Sequence, residues 1–183
     1  MIREIYMVLQ KKLTDDIDEL VLVDLDLNQY NQQGDDFVRA TPSAYIKFHP
    51  INWETIPEQI QKAQLNFDIV LISSTMYGDD RDITDKLHID HLTIENKIYT
   101  TLMNRRWMLS DHPDYAALKD TELDMVLLET IVRKSTSTHS AIDRIMHTAQ
   151  NFRANIFDYS AAPVWRKVLA QLELHAELVR KLD

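Results

Sequence analysis

Near the end of the chain, Val168, Ala170, Leu172, Leu174, Ala176 and Leu178 share one parity, while Gln171, Glu173, His175 and Glu177 take the other. A period of two with one apolar and one polar face belongs to a half-buried strand. The stretch from about Met146 to Val179 reads as two such strands joined through Ala161-Ala162-Pro163-Val164-Trp165. Their polar parity, Asn151, Arg153 and Asn155 with Gln171, Glu173 and Glu177, is a candidate contact face.

Upstream, Ile2, Ile5, Tyr6, Leu9 and Leu13 fall on one helical stripe, which predicts a helix over about 2–13 ended by Thr14-Asp15-Asp16. From Leu20 to Leu27, Val21, Val23, Leu25 and Leu27 oppose Asp24 and Asp26, a half-buried strand with a wet outer end. A polar loop over 29–41 leads to a strand over 43–49, in which Ala44, Ile46 and Phe48 alternate with Tyr45 and Lys47. Pro50 and Pro57 bracket an excursion containing Trp53. A long strand over 61–75 alternates and then turns apolar on both faces at Val70 and Ile72.

Asp79 to Asp85 supplies capping and first-turn acids for a helix over about 82–104, with a stripe of Leu87, His91, Ile94, Ile98, Leu102 and Met103. Residues 108–121 read as loop with one helical turn, and 125–136 as a strand whose first half is equally compatible with helix. Ser135 to Ser140 reads as a polar connection. A helix, three strands, a helix and three strands predict an α+β fold: a mostly antiparallel mixed sheet of about five to six strands with two main helices on one face.

At 183 residues the chain fits a single domain spanning 1–183. Its formal net charge of -9, with basic residues scattered in isolated pairs, argues against binding nucleic acid by neutralising phosphates. With no cysteine there is no disulfide, thiolate metal site or cysteine nucleophile, which suits a reducing cytoplasm. No apolar run approaches a membrane span, and the N-terminus lacks the form of a signal peptide. The only two glycines, Gly34 and Gly78, leave no GxGxxG or GxxxxGK[ST] motif and exclude most phosphate-cradling loops.

The sharpest candidate for chemistry is Asp24-Leu25-Asp26, where alternation places two carboxylates on one strand face, as a metal-dependent hydrolase or nuclease would need. A solvated strand end gives the same pattern. Asp79, Asp80, Asp82 and Asp85 lack the ligand order of a calcium loop and suit a helix start. His88 and His91 lack the spacing and glutamate of HExxH; His91 belongs to the buried stripe and His88 to the solvated side. No GxSxG elbow accompanies the serines, so nothing pairs them with His139, His147 or His175, and Ser73, Ser74 and Ser160 read as strand ends. Trp53, Trp107 and Trp165 read as packing under loops or as a binding surface. These readings imply no catalytic, cofactor or metal residue.

The order of elements and several local phrases resemble the tail terminator (tail completion, minor tail) proteins of long-tailed bacteriophages and prophages. The resemblance rests on the helix Ile2 to Leu13, the strand Leu20 to Leu27, the proline-entered Thr41-Pro42-Ser43-Ala44-Tyr45-Ile46-Lys47-Phe48, and the strand ending Phe67-Asp68-Ile69-Val70-Leu71-Ile72. It continues with the helix Ile83 to Met103 and the strand carrying Phe152-Arg153-Ala154-Asn155-Ile156-Phe157-Asp158-Tyr159. It covers most of the chain, and the final strand is additional to the shortest members. The resemblance implies a non-enzymatic subunit, without cofactors, that forms a six-membered ring on the tail tube, ends tube polymerisation and meets the head connector. Its partners would be itself, the tail tube protein and the head-tail connector protein, first in the host cytoplasm and then in the virion tail. Another neck or tail adaptor of the same virion is the nearby alternative. Exposure suggests Tyr30, Asp35, Asp36, Arg39, Arg133, Lys134 and Arg153 for such contacts.

Overall fold

In a computed structural model of the chain, the described residues are 2–27, 41–56, 60–74, 81–103, 113, 126–128, 130–137, 140–142 and 145–158. The alternating strand expected over 166–179 lies outside them. The elements run α1 (Ile2–Asp16), β1 (Leu22–Leu25), β2 (Ser43–Phe48), β3 (Trp53–Ile56), β4 (Ile60–Ser74) and α2 (Arg81–Leu102). They continue with β5 (Val126–Leu128), β6 (Val132–Thr136), β7 (Ser140–Ile142) and β8 (Ile145–Asp158). The architecture is α+β, as the patterning predicts.

The first helix extends past its expected end at residue 13. Lys11 and Lys12 pair with Asp15 and Asp16 at 2.5 and 2.9 Å, and such i,i+4 pairs stabilise a last turn by about 0.3–0.5 kcal/mol each. Ile5, Val8, Leu9 and Leu13 are its buried face. The following turn closes with Leu20 N–H donating to the Ile17 carbonyl at 3.1 Å.

Among the described residues, eight strands make one sheet that is five strands across, in the order β1-β2-β4-β8-β5. The long strands β4 and β8 form its spine, paired antiparallel without interruption from Gln61↔Asp158 to Ser74↔Ile145. On the far side of β4, β2 and β3 lie end to end; on the far side of β8, β5, β6 and β7 do the same. The one parallel pair among the described strands is β1 with β2.

Three sequence expectations are corrected by this pairing. The excursion between Pro50 and Pro57 contains strand β3, which is mostly exposed and exists through its ladder to β4 rather than through burial. The single strand expected over 125–136 is two, β5 and β6, seated at different heights on β8. The polar connection over 135–140 includes the end of β6 and the start of β7. Strand β1 is shorter than expected: Val21 and Leu27 are 63% and 72% exposed, and only Val23 carries its apolar parity inward.

Both helices cover one face. Its core joins Leu65, Phe67, Ile69 and Leu71 of β4, Phe152, Ala154 and Ile156 of β8, and Ala44 and Ile46 of β2 to Leu9, Leu13, Ile94, Ile98 and Leu102 of the helices. Phe67 and Phe152 stack at the centre, centroids 5.5 Å apart. Each fully buried side chain of this size contributes roughly 1.5–3 kcal/mol. The opposite face has its own smaller core of Tyr45, Val70 and Ile72, with Leu22, Ile145 and Ala149 packed against it. Alternation places Tyr45 with Lys47 on the polar parity of β2, yet Tyr45 is 1% exposed, because Val70 directly opposite makes that end of the face apolar. No helix among the described residues is long and apolar enough to cross a membrane.

Candidate functional site

Beyond the Tyr45 cluster the face away from the helices becomes polar, since Lys47, Asp68 and Asn151 share one rung of the sheet and Asn66 and Arg153 the next. Asp68 organises this surface. Its Oδ2 lies 2.9 Å from His49 Nε2, and its Oδ1 accepts from Asn151 Nδ2 at 2.7 Å. His49 is set in place by its own N–H, which donates to the Asn66 carbonyl at 3.0 Å as β2 ends. Charge-assisted bonds of this kind tie three strands together while leaving Lys47 exposed and Arg153 half-buried.

Of the residues suggested for contacts, Arg133, Lys134 and Arg153 are described, and Tyr30, Asp35, Asp36 and Arg39 lie outside the described residues. Arg153 sits on the polar face opposite Asn66 on one side and Val132 on the other. Arg133 and Lys134 part company, because the register of β6 shifts between Arg133 and Ser135, so Lys134 occupies a bulge. Arg133 turns to the helix side, its guanidinium carbon 3.9 Å from the Tyr99 ring centroid, while its N–H reaches Met103 Sδ at 3.1 Å. Lys134 is exposed, as are Ser135 and Thr136, and Val132 is 40% exposed. Lys134 is therefore the accessible member of the pair.

The two carboxylates of Asp24 and Asp26 flank the opposite margin of the sheet. Asp24 Oδ1 accepts from the Tyr6 hydroxyl at 3.1 Å and from Leu25 N–H at 2.7 Å. Burial raises the Tyr6 pKa, and the bond to the Asp24 carboxylate raises it further. Burial likewise raises that of Tyr45, with the charges of Asp24 and Asp26 adding to it. Among the described residues no group of three or more His, Asp or Glu side chains is placed to hold a metal ion. Asp79 and Asp80 lie outside the described residues, as do His139, His175, Ser160, Trp107 and Trp165; α2 begins at Arg81.

A polar cluster that residue patterning missed lies under α2. His91 Nδ1 is hydrogen-bonded to Ser73 Oγ, and His91 Nε2 to Thr148 Oγ1 at 2.9 Å. Beside it, Gln150 Nε2 donates to the Glu95 carbonyl at 2.8 Å. Ser73, His91, Thr148 and Gln150 are 7%, 1%, 0% and 1% exposed, so the Ser–His pair is buried and ties helix to sheet. The signal was present: Ser73 continues the inward parity of Leu71, and His91 continues the stripe of Ile94 and Ile98. Trp53, at 38% exposure, begins β3 beside Ala63.

No family model matches the chain, and no curated protein matches it. Among solved structures it is similar to a chain described as "Virion of native gene transfer agent (GTA) particle", at 10% identity and a TM-score of 0.49, over 85% of this chain and 96% of that one.

Proposed function

We propose that the protein is a structural subunit of a phage-like virion, and within it a tail terminator. In this reading it is not an enzyme: copies form a ring, six-membered as in the family it resembles, on the end of the tail tube. The ring stops tube polymerisation and presents a surface to the head-tail connector, assembling in the bacterial cytoplasm before residing in the virion tail. The observation that carries the reading is the order of elements and local phrases, from the N-terminal helix to Phe152-Arg153-Ala154-Asn155, which resembles the pattern of tail terminators. The fold is compatible with it: among the described residues, one sheet with helices on one face presents margins at β1 and at β5 to β7 and a polar face.

The test is to mix the protein with tail-tube subunits and image the products by negative-stain electron microscopy. Tubes of limited length bearing a terminal ring are expected. Tubes that elongate as they do without the protein, with bare ends, would refute the reading.

A further inference from the structure

Arg153 stands on the polar sheet face with no carboxylate to neutralise it. It faces Asn66 on β4 and Val132 on β6, and Asn151 and Asn155 lie two residues to either side on its own strand. The carboxylate diagonal to it is that of Asp68, and both oxygens of that group are engaged, Oδ2 by His49 and Oδ1 by Asn151. Within the described residues the half-buried guanidinium of Arg153 makes no hydrogen bond or ion pair. Its N–H donors form a planar fork that matches a carboxylate, and arginines are enriched among the residues that dominate protein contacts. Val132 directly beside it is 40% exposed, so the spot offers one fork of donors and one apolar surface.

The same chain carries a surface of the opposite kind on α2. Asp15, Asp16 and Glu19 are exposed acids already paired with Lys11, Lys12 and Lys97. Asp90 is exposed and makes no ion pair within the described residues, and its neighbours Ile89 and Leu92 are 62% and 49% exposed. Asp18 and Glu54 are also exposed without an ion pair there, but Asp18 follows the buried Ile17 and Glu54 faces Lys62 across the β3–β4 ladder, so neither is framed by exposed aliphatic side chains. We infer that the outer side of α2 of one copy docks on the polar face of the next, with the Asp90 carboxylate on the Arg153 guanidinium and Ile89 and Leu92 against Val132. An Arg–carboxylate fork ringed by apolar contacts that exclude water is the arrangement in which such a pair contributes most. Because α2 packs on the side of the sheet away from Arg153, the two halves are different surfaces. The contact is head-to-tail, and a constant rotation at each step closes it into a ring. The inference rests on the self-assembly part of the proposed function and on nothing about the tail tube.

The absence of cysteine makes the test direct. In the full chain carrying Leu92→Cys and Val132→Cys, Asp90 and Arg153 stay in place and the new thiols lie on opposite sides of the sheet, so no disulfide forms within one copy. Mild oxidation of the concentrated protein is expected to give a ladder of dimer, trimer and larger species on non-reducing gels, whereas either single variant stops at dimer. Adding Arg153→Glu to the pair should reduce the ladder to that of a control pair, Thr14→Cys with Val132→Cys, and adding Asp90→Arg as well should restore it, since the swapped charges attract again. A second pair, Ile89→Cys with Val132→Cys, should respond in the same way; circular dichroism confirms that each variant is folded. A ladder no more abundant than the control's, or one that Arg153→Glu leaves unchanged, would overturn the inference. If ladders fail while tube ends are still capped, this contact is wrong and the proposed function stands; charge-dependent ladders with uncapped tubes give the reverse.

Discussion

Ser73 Oγ and His91 Nδ1 are hydrogen-bonded across the joint between β4 and α2, where neither residue is more than 7% exposed. A neutral imidazole has one donor and one acceptor nitrogen, so one flanking hydroxyl donates and the other accepts, and Thr148 completes the set. The cluster ties α2 to β4 and β8 beside the apolar contacts of Ile94, Ile98 and Leu102. Replacing His91 by alanine removes that tie, opens a cavity and strands two buried hydroxyls. His91→Ala is expected to lower the unfolding free energy by about 2–3 kcal/mol in urea titrations. A loss below about 0.5 kcal/mol, the size of an ordinary surface substitution, would show that the cluster does not stabilise the joint.

The stacked pair Phe67 and Phe152 gives a second expectation. Both rings are fully buried at the middle of the long β4–β8 ladder. Phe152→Ala should cost about 3–5 kcal/mol, as large-to-small changes in close-packed cores do. Asn155→Ala, three residues along on the polar face, should cost no more than about 1–1.5 kcal/mol, the worth of an ordinary hydrogen bond. Equal urea midpoints for the two variants would mean that the inward and outward parities of β8 are interchanged.

That parity was legible in the sequence where a strand is long and buried on a single face. Ala63 to Ile69 alternates without error, and the stripe through His91, Ile94, Ile98 and Leu102 finds α2 to within two residues. Legibility fails where hydrogen bonding to a neighbour, rather than burial, makes the element. Trp53 to Ile56 has no inward side and is a strand only because β4 extends beyond β2 and leaves backbone to pair. The break between β5 and β6 has the same origin, since the β8 edge is long enough to seat three short strands in succession. Of the suggested contacts, Arg133 was misread as exposed because nothing in its spacing reports the Tyr99 ring on another element.

The Arg133–Tyr99 contact is itself measurable. With the guanidinium 3.9 Å from the ring centroid and both residues half-buried, a double-mutant cycle of Arg133→Met and Tyr99→Leu should return a coupling of about 0.5–1 kcal/mol in thermal or urea unfolding. The coupling should persist in moderate salt, because the ring offers a quadrupole rather than a screened counter-charge. Additive single effects would remove the interaction from the account of how β6 is held to α2.

Two tyrosines make stability depend on pH at the alkaline end. Burial raises the pKa of both Tyr6 and Tyr45 above the ordinary tyrosine value, with the charge of Asp24 adding to each. A folded-state pKa above the unfolded one means that the native state holds its protons more tightly. The contribution is therefore fully present below about pH 10 and is lost as pH rises through the folded values. Unfolding free energy should fall above about pH 10, and Tyr6→Phe combined with Tyr45→Phe should flatten that decline. An equally steep decline in the double variant would assign it to other groups.

Asp24 separates the structural reading from a metal-dependent one. Its Oδ1 already accepts two hydrogen bonds, from the Tyr6 hydroxyl and Leu25 N–H, which leaves a divalent cation only Oδ2 of this carboxylate, and among the described residues no group of three acidic or imidazole side chains is placed to hold it. Millimolar manganese or magnesium is accordingly expected to leave the melting temperature of the protein unchanged, and Asp24→Asn to behave in the same way. The same substitution should still lower stability by about 1 kcal/mol without any metal, because the bond from Tyr6 loses its charged acceptor. A metal-induced rise in melting temperature that Asp24→Asn abolishes would instead favour hydrolytic chemistry at this strand end, and would make the Tyr6 hydroxyl a partner of the ligand rather than a brace between α1 and β1.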